Sequence, residues 1–202
     1  MNIGYSVKVN VTSIHAFAEK VSLINNGNDP VGRAAALQLA LQGSYVIVGD
    51  PDGSGSGGLE DLLELGTLAA AVNADAAAPA GAAALSAGVQ GKFERLDLLV
   101  NTFVSDGDSI AAAKTMIDSV AELMTPRPKP RIVNVFRLAE QGGIEAVEAA
   151  TMRLRGELPG HFQVNSIAVA DETAAADDIA RVVLFLLSGE SKAIRGETIK
   201  IW

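Results

Sequence analysis

The sequence predicts an α/β domain built on a doubly wound parallel sheet of about seven strands. Two observations carry that reading. Short runs rich in β-branched residues alternate with helical patterns along most of the chain. Several of those runs are apolar at successive positions, as strands covered on both faces of a parallel sheet are. Strict alternation of this kind implies right-handed βαβ units and a sheet with helices on both sides.

The elements follow in order. VSLIN (21–25) is the first strand candidate. A helix follows over 31–42, with Pro30 suited to its first position and Asn28 or Asp29 to its cap. YVIVG (45–49) is the second strand; the flexible GSGSGG stretch (53–58) and a helix over 58–66 come after it. AAAVNA (69–74) is the third strand, and an Ala-, Gly- and Pro-rich stretch (74–88) forms a weakly specified start to a helix over 79–94. DLLVN (97–101) precedes a helix over 108–124, which TPRPKP (125–130) ends because proline cannot continue it. RIVNVF (131–136), a helix over 142–158, FQVNSIA (162–168), a helix over 175–188 and ETIKI (197–201) complete the pattern. No shift in composition marks an internal boundary. Residues 21–202 are expected to form one Rossmann-like domain behind an N-terminal extension, residues 1–20.

Composition narrows the function classes. The chain has 202 residues, 49% hydrophobic and 20% charged, which suits a globular domain with its own core. A net charge of −8 repels phosphate backbones and argues against nucleic acid. There is no cysteine, so disulfide and thiol chemistry are excluded. The first residues lack the apolar core of a signal peptide, and no run approaches the roughly 18 apolar residues of a membrane span. A cytoplasmic protein with no membrane partner is expected. CxxC, HExxH, Walker and GxSxG motifs are absent. His15 and His161 are far apart, and His161, after Pro-Gly, reads as a surface turn. Glu145, Glu148, Asp177 and Asp178 have the spacing of solvated helix faces or caps, so no metal site is expected.

VSLINNGNDPVGRAAALQLALQGSYVIVGD resembles the first βαβ unit of the short-chain dehydrogenases/reductases. FERLDLLVN is similar to that family's fourth strand and RIVNV to its fifth. VEAATMRLRGEL with FQVNSIA resembles its helix F and sixth strand, and DDIARVVLFLLSGESKAIRGETIKI its closing helix and strand. The likeness runs from about residue 21 to 201, in the family's order. It implies that family's fold in truncated form. Only AVADETA (168–174) stands where the substrate lid would lie, and residues 102–130 are too short for both the family's loop and its long helix.

The resemblance also locates the family's working positions, and most hold other residues. The cofactor turn, Gly-x-x-x-Gly-x-Gly, falls on Asn26, Pro30 and Gly32. Asn26 places a side chain where backbone must approach pyrophosphate, and Pro30 offers no N–H. Gly32 is kept where helix and strand pack closely. Asp29 adds a negative charge at the helix N-terminus. Asp50 stands where an acidic residue would hold an adenine ribose, and Asp75 near the adenine; both are vestigial on this reading, or turn residues. Asn101 opens what would be Asn-Asn-Ala-Gly, but Phe103 and Val104 would crowd the nicotinamide ribose. The catalytic tyrosine and lysine positions fall on Glu140 and Ile144, and Phe136 follows the fifth strand where a serine belongs. A carboxylate at 140 repels a developing alkoxide. No catalytic residue and no bound cofactor are expected.

The apolar patterning of the family's paired helices survives. The resemblance implies a subunit contact through Ala111, Met116 and Val120 on one helix and Ala146, Ala149, Ala150 and Arg153 on the next. The implied protein is a catalytically inactive subunit that stabilises an active dehydrogenase paralogue, as a heterotetramer. The non-catalytic subunit of a hydroxyacyl-CoA dehydrogenase in anaerobic toluene degradation is of this kind. A non-catalytic nucleotide-binding or sensory module is the alternative; a divergent NAD(P)-dependent oxidoreductase is a third.

Overall fold

The computed structural model describes residues 16–52, 59–105, 108–138, 143–170 and 174–202. Residues 1–15 with His15, the GSGSGG stretch and Glu140 lie outside them. In chain order the elements are β1 (Val21–Ile24), α1 (Pro30–Leu41), β2 (Tyr45–Gly49), α2 (Leu59–Glu64), β3 (Ala69–Val72), α3 (Pro79–Phe93), β4 (Leu98–Ser105), α4 (Ser109–Met124), β5 (Arg131–Leu138), α5 (Ile144–Glu157), β6 (Gln163–Val169), α6 (Ala176–Leu187) and β7 (Thr198–Ile201). A 3₁₀ turn, Gly189–Ser191, follows α6. The seven strands form one parallel sheet in the order β3-β2-β1-β4-β5-β6-β7. The order reverses between β1 and β4, which opens a crevice at their carboxyl ends.

The sheet sorts alternate residues to two cores. Ile24, Val46, Val48, Val100, Val133 and Ile167 pack against α1 and α6. Val21, Leu23, Ile47, Leu99, Ile132 and Val164 pack against α3 and α4. Both faces being covered explains why the strand sequences are runs rather than alternations. Phe17 is buried in the first core, and its amide donates to Gln42 O at 3.2 Å, so packing begins ahead of β1.

Two expectations change. β4 runs four residues past Asn101, because Asn101 and Thr102 are polar but paired. Asn101 Nδ2 donates to Asn134 Oδ1 at 2.9 Å, and Asn25 Oδ1 accepts from Thr102 N at 2.8 Å. The long helix α4 is retained, and the connection ahead of it is what is short. Between β6 and α6 only residues 170–175 intervene.

The amino-terminal edge of the sheet is tied by Asp97, which is 2% exposed. Its Oδ2 accepts from Val21 N at 3.0 Å, its Oδ1 from Arg127 Nε at 2.8 Å, and Lys20 and Arg95 lie at 3.6 and 3.8 Å. A buried carboxylate with this many donors is held by charge-assisted bonds. Asp97→Ala is expected to lower the free energy of unfolding by about 2 kcal/mol, read as a lower urea midpoint at unchanged slope.

Candidate functional site

The crevice at the carboxyl ends of β1 and β4 is where an open α/β sheet binds ligands. Its floor is the turn from Asn25 to Pro30. Asn25 is buried and fixes the turn's start: its amide donates to Val100 O and its side-chain oxygen accepts from Thr102 N. Gly32 lets α1 approach closely. A Cβ there would lie 2.1 Å from the backbone oxygen of Asn26, so no other residue fits without moving the turn.

The N-terminus of a helix presents amides without helical partners. Here each has an acceptor inside the chain. Gly27 N donates to Gly49 O at 2.8 Å. Asn26 Oδ1 accepts from Asn28 N at 3.0 Å and Asp29 N at 3.1 Å. Asp29 Oδ2 accepts from Val31 N at 2.9 Å and Gly32 N at 3.0 Å, and Arg33 N donates to Asp29 O at 2.8 Å. Pro30, at the first helical position, has no N–H to offer. The turn from Gly27 to Arg33 therefore offers a pyrophosphate no uncommitted amide. Asp29 is the N-cap of α1 and is 7% exposed; its other carboxylate oxygen pairs with Arg137 from the end of β5. One side chain supplies both the acceptor and the negative charge that a bound anion would bring.

The acidic candidates are committed or exposed. Asp50, 2% exposed, accepts at Oδ1 from Asn28 Nδ2 at 3.0 Å, and the same amide donates to Asp52 at 3.0 Å. Asp75 is exposed, and its Oδ1 accepts from Ala77 N at 2.9 Å, the geometry of a turn residue. A cavity of about 380 Å³ remains beside the turn, lined by Asn25, Asn26, Asp75, Thr102, Phe103 and Asp108 among others. Two carboxylates on its wall make it unfavourable for phosphate.

Beside the crevice, the ends of β4 and β5 carry an apolar cluster. Phe136 is 2% exposed and stacks on Phe103, with centroids 6.2 Å apart. Leu138, Ile144, Val147 and Ala113 join them in one cluster, and Ile110 packs on it. Ile144, at the family's lysine position, is part of this filling. Glu140 and the Val104 side chain are outside the described residues.

The structure divides the seven interface candidates. Met116 and Val120 have no exposed surface because they pack in the core against the sheet, and Ala150 is 5% exposed. They can add little to a contact between subunits. Ala111, Ala146, Ala149 and Arg153 are exposed, and Met152 beside them is 68% exposed. Arg137 was not among the candidates; its signal is a lone charge ending the apolar run RIVNVF. Among the described residues no cluster of His, Cys, Asp and Glu could hold a metal, and no helix is long and apolar enough to cross a membrane.

The fold is that of the short-chain dehydrogenases/reductases: a seven-stranded parallel sheet flanked by helices, with the ligand crevice at its switch point. The chain superposes on a hydroxysteroid dehydrogenase from Escherichia coli with a TM-score of 0.80 and 17% identity, over 94% of this chain and 97% of that one. A Pseudomonas aeruginosa structure, the RhlG/NADP active-site complex, gives 0.80 and 18% over the same shares. A Burkholderia xenovorans protein described as a short-chain dehydrogenase/reductase gives 0.74 and 20%, over 93% and 96%. In sequence, the chain is 30% identical over 91 residues to 1,6-dihydroxycyclohexa-2,4-diene-1-carboxylate dehydrogenase of Acinetobacter baylyi. That match spans 45% of this chain and 35% of the relative. No family model matches.

Asp29→Ala uncovers two amides and leaves Arg137 without its partner. It is expected to cost about 1–2 kcal/mol in chemical denaturation. Arg137→Ala is expected to cost less, since Asp29 still caps the helix and the ion pair is partly exposed.

Proposed function

We propose that this chain is a non-catalytic member of the short-chain dehydrogenases/reductases that binds no dinucleotide and stabilises an active paralogue in a hetero-oligomer. The observation that carries the reading is the turn before α1, whose amides from Gly27 to Arg33 all have acceptors within the chain. The apolar filling at Phe103, Phe136 and Ile144 supports it, since none of these side chains can exchange a proton with a substrate oxygen. The partner performs hydride transfer. The sequence resemblance extends this to hydroxyacyl-CoA oxidation in anaerobic aromatic degradation, in a heterotetramer.

The contact surface on this reading is the exposed side of α4 and α5. It centres on Ala146, Ala149, Met152 and Arg153 on α5, with Ala111 exposed on α4. Small residues let a partner helix approach closely. Lys114 on α4 reaches Asp118 at 2.9 Å and Glu157 on α5 at 3.1 Å. Its hydrogen bonds to Asp118 and then Glu157 hold its pKa above the ordinary lysine value.

A second reading, a nucleotide-binding or sensory module, rests on the cavity beside Asn26 and Asp75, whose carboxylates suit the hydroxyl and amino groups of a nucleoside rather than its phosphates. Thermal unfolding separates the two. A ligand at about 100 times its Kd contributes about 2.7 kcal/mol to the native state, a rise of several degrees in Tm for a chain of this size. Millimolar NADH or NADPH is expected to leave Tm unchanged. A rise with either moves the chain to the nucleotide-binding reading, and turnover with either makes it a divergent oxidoreductase.

Assembly is tested by light scattering on the chain alone and on the chain co-expressed with its paralogue. A defined hetero-oligomer is expected, with the paralogue's activity dependent on it. Ala149→Arg, at an exposed position, is expected to abolish the complex while leaving far-UV circular dichroism unchanged. A soluble monomer that ignores every paralogue overturns the proposal.

A further inference from the structure

At the end of the sheet opposite the crevice, a cavity of about 310 Å³ opens beneath the starts of β5 and β6. Lys129, Arg131, His161, Gln163, Lys192 and Arg195 line it, with Pro128 and Gly189. No lining residue is acidic, in a chain whose net charge is −8. We propose that this cavity is a binding site for a phosphate group, free or carried by a small organic molecule.

Three features support it beyond the count of charges. The first is that these cations lack ion-pair partners among the described residues. At the same edge of the sheet, Lys20, Arg95 and Arg127 share Asp97. The second is the burial of Arg131, which is 6% exposed. Its Nη1 donates to Leu187 O, at the carboxyl end of α6, at 2.8 Å. That bond places a cation at the helix's negative end but does not neutralise it. Burial, and then the Arg195 charge, lower the Arg131 pKa. A dianion in the cavity would relieve both penalties.

The third is pre-organisation. Gln163, 4% exposed, donates from Nε2 to Ser191 O at 2.8 Å and to Ile194 O at 2.9 Å. Those bonds fix the turn that carries Lys192 and Arg195. His161 Nε2 lies 3.0 Å from Thr125 O, and its ring meets Phe162 edge-on at 5.0 Å. Since a carbonyl only accepts, that nitrogen carries the proton. Arginine with lysine is a suitable donor set for a phosphoryl group, the first for its fork of N–H bonds and the second as a point charge. The volume is at the small end of the range for ligand pockets, enough for a phosphate with a small substituent.

Isothermal titration calorimetry with inorganic phosphate and with phenyl phosphate, at constant physiological ionic strength in chloride, tests the proposal. Saturable binding of at least one is expected. Inorganic phosphate binding more tightly identifies the free ion; phenyl phosphate binding more tightly identifies an organic phosphomonoester. The double variant Lys192→Ala/Arg195→Ala, at exposed positions, is expected to weaken binding by at least about tenfold with unchanged Tm. Arg33→Ala, at the opposite end of the sheet, is expected to leave it unchanged. Absence of saturable heat with both probes overturns the proposal. So does equal weakening in the Arg33→Ala control, or binding of a poly-glutamate peptide with neither phosphate probe bound. None of these outcomes bears on the dinucleotide crevice.

Discussion

The amides at the start of α1 must be accepted by something, and that constraint organises the crevice. A helix N-terminus carries about half a positive charge and several N–H groups without helical partners. In an open α/β sheet it points at the switch point, where an anion can meet the demand. In this chain Asn26 and Asp29 meet it, and the charge of Asp29 is balanced by Arg137. The position of Arg137, two residues past Val135 on β5, ties the helix cap to a strand on the other side of the switch point.

The same substitution of internal for external partners recurs deeper in the crevice. Where a redox site keeps polar groups exposed to a substrate, Phe103, Phe136, Leu138 and Ile144 pack on one another. Packing of this kind contributes apolar burial of about 25 cal/mol per Å² in a region that a ligand-binding site must leave open. The sheet and its two cores are meanwhile complete. The apolar cluster lies at the carboxyl ends of the strands, where ligands bind in this fold.

The sheet was legible because strands buried on both faces write themselves as apolar runs, and because Pro30, Pro79 and TPRPKP mark helix limits. All seven strands and six helices lie where those signals place them, within a few residues. Asn101 and Thr102 look like a strand end in the sequence, yet β4 continues past them; their partners, Asn134 and Asn25, are 33 and 77 positions away. Apolar residues on α4 at 112, 116 and 120 and at 113, 117 and 124 define one stripe. That spacing turns them inward, which is why Met116 and Val120 offer a partner no exposed surface. Arg137 with Asp29, and the cations around Arg131, were not legible. Each joins residues from separate elements, and only the folded sheet brings them together.

Because Asn26, Asp29, Pro30 and Arg137 answer one another, the turn resists conversion by single steps. Glycine at 26 strips the acceptor from two amides, and glycine at 29 strips it from two more and takes the ion-pair partner of Arg137. Removing Arg137 first leaves the carboxylate unbalanced in a poorly solvated place. Each of these three first steps is thus expected to give a less stable chain. Epistasis of this kind makes the present loop a ratchet: a neighbourhood of sequence space easy to drift within and hard to leave.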